Sequence, residues 1–228
     1  MKWSSWSSRI GNSVKQSYSM LNNGSISVII WMTMLFIFGF TIMHAVFILY
    51  TGMAIDEGGL SYNEAQNGRL FAIIGITGII TQGVLIGPLS KRFGPDNLLP
   101  ISCLLCGLGL VLIPYTQADW AFGYLFAVVI LISVGNGIFQ PSSSSLLTTT
   151  AKHNGLNLGI VMGAQESVSS FARIIGPLTG GIVWTLTVSR KWPLDYHTAF
   201  HLCGIMMLLS AILSLKIKTV PNEYLEES

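Results

Sequence analysis

The sequence predicts an all-α integral membrane fold, with six helices crossing the bilayer and both ends of the chain in the cytoplasm. Three observations carry this. Of the 228 residues, 51% are hydrophobic and only 10% charged, with a mean hydropathy of +0.61, whereas a soluble domain carries about 25% charged residues. The apolar residues gather into six continuous segments, each near the ~20 residues that a helix needs to cross ~30 Å of hydrocarbon. The basic residues concentrate in alternate connections. Continuous apolar runs, without period-two alternation, exclude a closed β-barrel.

The first 25 residues hold Lys2, Arg9 and Lys15 and no acid, with Trp3, Trp6, Ile10, Val14, Tyr18 and Leu21 at helical spacing. This stretch reads as a cytoplasmic linker or an interfacial helix, and its arginine content is low for a targeting presequence. No basic region followed by a short apolar core and a cleavage site opens the chain, so a secretory signal peptide is not expected. A transmembrane bundle over 26–217 follows, with spans at Ile26–Tyr50, Leu70–Ser90, Leu98–Tyr115, Phe122–Leu147, Gly159–Leu186 and Ala199–Leu215, then a cytoplasmic tail over 218–228. Lys2, Arg9, Lys15, Lys91, Arg92, Lys152, Lys216 and Lys218 fall on one side. Arg190 and Lys191 fall on the other, with Arg69 at a helix mouth. The positive-inside rule puts the first set in the cytoplasm. A net charge of +2 without a dense basic cluster gives no ground for a nucleic-acid partner. Cys103 and Cys106 form a C-x-x-C inside an apolar helix with no second pair, which reads as helix packing.

The fifth span is the unusual one. Glu166, Ser169, Ser170 and Arg173 recur along one stripe of an otherwise apolar helix. Ionisable groups at membrane depth are costly and usually face protein or a water-filled cavity. Glu166 is therefore a proton-carrier candidate with Arg173 nearby: desolvation raises a carboxyl pKa, and a neighbouring cation lowers it. The alternative is a buried ion pair that fixes the helix. The two lie roughly 10 Å apart in rise, so contact needs the Arg173 side chain to reach back, or Ser169, Ser170 or water to bridge.

Ile86-Gly87-Pro88-Leu89 closes the second span, and Ile175-Gly176-Pro177-Leu178 sits late in the fifth. These are the second helices of two triplets that start on opposite sides of the membrane, the expected mark of a 3+3 inverted repeat. Gly-Pro late in a span weakens local hydrogen bonding, which makes Gly176 and Pro177 hinge candidates. The spread of Gly75, Gly78, Gly83, Gly135, Gly137, Gly180 and Gly181 is that of close helix packing. Gln82, Asn136, Gln140, Gln165 and His44 are candidates to line a substrate cavity; side chains of this kind also join helices to one another. No nucleophile triad, phosphate loop, paired catalytic carboxylates or metal-ligand cluster is recognisable, so neither an enzyme nor a cofactor is expected.

Taken together these motifs resemble the C-terminal half of a major facilitator superfamily transporter, of the drug:proton antiporter type that includes tetracycline efflux proteins. Thr81-Gln82-Gly83 through Gly87-Pro88-Leu89-Ser90-Lys91-Arg92-Phe93-Gly94 is similar to the family's G-x-L-x-x-R-x-G loop. Gly87, Leu89, Lys91, Arg92 and Gly94 then form a conformational loop motif that latches helix ends. Gly135-Asn136-Gly137 through Gln140-Pro141, and Ser170-Phe171-Ala172-Arg173-Ile174-Ile175-Gly176-Pro177-Leu178, resemble two further family helices. Lys91 stands where the other half carries an Asp, and Glu166 where relatives tend to carry an uncharged residue such as Gln.

The resemblance implies a six-helix half of a major facilitator fold that works by alternating access, exporting a small organic or amphipathic solute coupled to protons. The expected partners are the bilayer of a plasma, inner or organelle membrane, the solute, protons and a second six-helix half, either a missing N-terminal segment or another chain. The alternative is a truncated half that does not transport and serves as a membrane binding or assembly subunit.

Overall fold

The computed structural model describes residues 24–116 and 121–217. The expected linker before residue 24 and the tail from 218 lie outside them. Helix α1 spans Gly24–Gly52 and a 3-10 turn covers Ile55–Glu57. Helix α2, Glu64–Ile80, runs through a π-helical turn at Thr81–Leu85 into α3, Ile86–Leu112, which ends in a 3-10 turn at Ile113–Tyr115. Then come α4 at Ala121–His153, α5 at Leu158–Thr187 and α6 at His197–Ser214. No strand occurs among the described residues.

Local sequence explains where the helices begin and bend. Asn63 starts α2 through a capping box: its Oδ1 accepts from Gln66 N at 2.9 Å, and Gln66 Oε1 accepts from Asn63 N at 2.9 Å. Asn157 Oδ1 accepts from Ile160 N to start α5. Within α3 the helical path breaks at Gly94, whose φ of 74° and ψ of 153° suit glycine, and Pro95 follows at once.

Each of the six expected apolar segments falls on helical residues, Leu215 being the C-cap of α6. By length and composition four runs can cross a membrane: Gly24–Gly52, Glu64–Tyr115, Phe122–His153 and His197–Ser214. The second is 52 residues long, far more than one crossing needs, and contains the Gly94 break. The fifth expected span, on α5, is not among the four, because Gln165, Glu166, Ser167, Ser169, Ser170 and Arg173 dilute its apolar content.

The core is built by α1, α3, α4 and α6. Helix α3 packs most extensively on α4 and also on α6, while α1 packs on α5 and α6. Phe36 of α1 stacks on Phe139 of α4 with ring centroids 3.6 Å apart, both fully buried. The C-x-x-C thiols are free, buried and spent on helix contacts. Cys103 Sγ donates to Ser210 Oγ of α6 at 3.4 Å, and Cys106 Sγ to Ile132 O of α4 at 3.3 Å. Ser210 in turn donates to Met32 O of α1, tying a third helix to the pair. Helices α2 and α5 are peripheral. The first packs mainly on α4, the second mainly on α1. Both expose large apolar side chains, among them Ile76 and Ile79 on α2, and Phe171, Ile174 and Leu178 on α5.

Candidate functional site

Helix α5 is laid against α1 along one narrow stripe. Val161, Gln165, Ser169, Ala172, Gly176, Gly180 and Trp184 are buried at three- and four-residue intervals, the spacing of a single helix face. The polar stripe read from the sequence therefore divides. Ser169 turns into the protein, while Glu166, Ser170 and Arg173 are exposed.

Glu166 and Arg173 meet directly. Arg173 Nη1 donates to Glu166 Oε1 at 2.6 Å, so the guanidinium does reach back across seven residues without a bridge. Within this chain the side chains are 65% exposed for Glu166 and 47% for Arg173. In water an exposed pair contributes about 0–1 kcal/mol.

On another face of α5, an apolar groove of about 360 Å³ runs between α1 and α5, lined by Ile30, Trp31 and Met34 on one wall and Val168 and Phe171 on the other; neither Glu166 nor Arg173 lines it. Ser27 and Ser167 supply its few polar atoms.

Gln165 is drawn into the buried side. Its Nε2 donates to Ser143 Oγ of α4 at 3.4 Å, and that hydroxyl lies 2.8 Å from Thr33 Oγ1 of α1. One polar knot thus joins three helices. Thr33 and Ser143 were not singled out by the sequence reading, and a hydroxyl in a serine-rich helix gives no signal of a partner more than a hundred residues away. Asn136 Oδ1 and Ser142 Oγ are buried without a hydrogen-bond partner among the described residues, so α4 retains unused polar capacity. Gln140 is half-buried on the same helix. His44 is half-buried on α1 with its ring edge-on to Phe40 at 4.6 Å, apart from the Gln165 knot.

The remaining sequence candidates sit elsewhere. Gln82 lies exposed in the π-helical turn, where the helix widens by one residue per turn, a distortion frequent at functional positions. Gly87, Lys91 and Arg92 are exposed and Leu89 is half-buried. The Arg92 guanidinium stands 5.4 Å from the Phe93 ring centroid, and Gly94 makes the sharp turn. Gly176 is pressed against α1, where a Cβ would collide with the Thr41 side chain, while Pro177 is exposed.

Comparison with known proteins accords with this architecture. The family model described as Major Facilitator Superfamily matches residues 3–172. The chain is 29% identical over 122 residues to the class G tetracycline resistance protein of Vibrio anguillarum, covering 54% of this chain and 30% of that protein. It is 22% identical over 186 residues to multidrug resistance protein 2 of Bacillus subtilis (strain 168), covering 82% and 42%. It is 30% identical over 126 residues to solute carrier family 22 member 18 of Mus musculus, covering 53% and 28%. The matches thus span well under half the length of these relatives.

Proposed function

The chain belongs to the major facilitator superfamily and is an integral, multi-pass membrane protein; from that premise we propose that it forms one half of a secondary transporter that exports a small amphipathic solute in exchange for protons. The observation that carries the reading is the direct, exposed Glu166–Arg173 pair on a membrane helix, whose other face borders an apolar groove against α1. The groove suits the apolar body of a solute, and the pair places a group that a proton can neutralise on the same helix. Protonation of Glu166 releases Arg173. A bound solute that prefers one state of the pair shifts the equilibrium between the two, which is the differential affinity that coupling requires. The tetracycline and multidrug resistance proteins among the relatives favour this class of substrate.

In this reading the bundle over 26–217 is six crossings in two inverted triplets, with both termini cytoplasmic. The break at Gly94 separates the second crossing from the third, and the two I-G-P-L copies mark equivalent helices. Gln82, Asn136 and Gln140 face the solute path, and the Gly87–Gly94 loop latches the cytoplasmic ends. The exposed faces of α2 and α5 suit cover by a second six-helix half. They favour equally the second reading, a half that assembles in the membrane without transporting.

Reconstitution tests both. The chain in liposomes with a second six-helix half, whether supplied as the upstream segment or as a separate chain, is expected to move an amphipathic dye when a proton gradient is imposed. Stable assembly with neither flux nor dye binding would leave the assembly reading standing and overturn the transport one.

A further inference from the structure

At the end of the bundle where α3 stops and α6 begins, Asp195, His197, His201 and Tyr115 converge, away from the Glu166–Arg173 pair. Asp195 Oδ1 accepts from His197 Nδ1 at 2.9 Å and from the His197 backbone N–H at 3.0 Å, with both side chains only 13% exposed. A carboxylate oxygen accepts from Nδ1, so Nε2 is the His197 nitrogen left to ligate. His201 lies one helical turn on, on the same face, with ring centroids 6.0 Å apart. Tyr115 OH is 3.2 Å from His201 Nε2, and the Tyr115 ring is 5.0 Å from that of His197.

We propose that His197 and His201 form a two-imidazole chelate for a divalent transition-metal ion, with Asp195 as its positioning residue. Histidines four apart on a helix offer both rings to one ion. Metal–nitrogen bonds of about 2.0–2.1 Å set two ligating rings roughly 5–6 Å apart by centroid, the spacing found here. A carboxylate on the far nitrogen is the usual support of a ligating histidine, fixing the ring and raising its basicity. It also offsets the positive end of α6, which alone would repel a cation. Among the described residues no three His, Cys, Asp or Glu surround a metal, so the remaining positions belong to water or to the neighbouring Tyr115 phenol. Imidazole ligation selects ions such as Zn²⁺, Ni²⁺ or Cu²⁺ over Mg²⁺ or Ca²⁺. The site stands apart from the transport reading and survives its failure.

The chain has four histidines, which makes the test clean. Zn²⁺ is titrated into the purified full chain in detergent, with circular dichroism confirming matched helicity of each variant. His197→Ala and His201→Ala are each expected to weaken binding by about 100-fold, Asp195→Asn by about 10-fold, and His153→Ala not at all. Cu²⁺ spin resonance reads the ligands directly and is expected to carry the coupling of two imidazole nitrogens, lost in either alanine variant and partly recovered as nitrogen–sulfur ligation in His201→Cys. Undiminished Zn²⁺ affinity in the His197→Ala/His201→Ala double variant, or a spectrum without imidazole nitrogen in the parent chain, would overturn the proposal.

Discussion

The same four residues, Ile-Gly-Pro-Leu, occur twice in this chain and are used in opposite ways. In α5, Gly176 is clamped: Thr41 of α1 fills the space a side chain would need, Thr41 Oγ1 reaches Ala172 O at 3.4 Å, and Gly180 continues the contact one turn on against Ile42 O. The helix stays α-helical through Pro177. At the junction of α2 and α3, Gly87 faces open space, as do Gly75, Gly78 and Gly83, and the turn just before it is π-helical. The tetrapeptide sets a weak point in the backbone ladder, because proline donates no hydrogen bond. Whether that point is braced or left free is decided by what lies opposite. The α5 copy is a docking surface already taken up within the chain, and the copy that opens α3 faces open space.

This contrast yields graded expectations. Gly176→Leu breaks the braced copy and is expected to cost about 3 kcal/mol, read as a lowered unfolding midpoint in detergent, since the side chain has no room beside Thr41. Ser143→Ala tests the other fastening on the buried side of α5. It leaves Thr33 and Gln165 without their shared partner and should cost about 1–2 kcal/mol in the same assay. Thr41→Val keeps the shape and removes the bond to Ala172 O, for a loss of about 1 kcal/mol or less. Gly87→Leu, the matched change at the free copy, is expected to alter the chain's own stability by no more than about 0.5 kcal/mol. Its effect appears instead as weaker co-purification with a second six-helix half. A stability loss at Gly87 equal to that at Gly176 would erase the comparison.

Much of this was legible beforehand, for identifiable reasons. Apolar run length depends on local chemistry, so helix positions could be read directly. The repeated tetrapeptide was visible too, but its two fates were not, because Thr41 is 135 positions from Gly176 and nothing local to either announces the contact. The Glu166–Arg173 stripe followed from helical periodicity. Its direct 2.6 Å contact depended on the reach of a flexible guanidinium, which spacing does not fix. Gln165, read as a cavity residue or an interhelical bond, donates to a hydroxyl on α4. His201 was not singled out in the sequence and gained meaning only when the turn before α6 brought Asp195 under His197. Residues that act through neighbours close in sequence were visible early, whereas those that act through distant partners needed the packing.

The central claim is that Glu166 exchanges its bond to Arg173 for a proton as solute moves. The most direct measurement compares the pH dependence of solute flux in proteoliposomes holding both halves, with the parent chain and with Glu166→Gln. The account predicts a strongly pH-dependent flux in the parent and a flat, slower one in Glu166→Gln at equal expression and helicity. Identical pH dependence in the two would contradict it and leave the Glu166–Arg173 pair as a fastening of the helix surface.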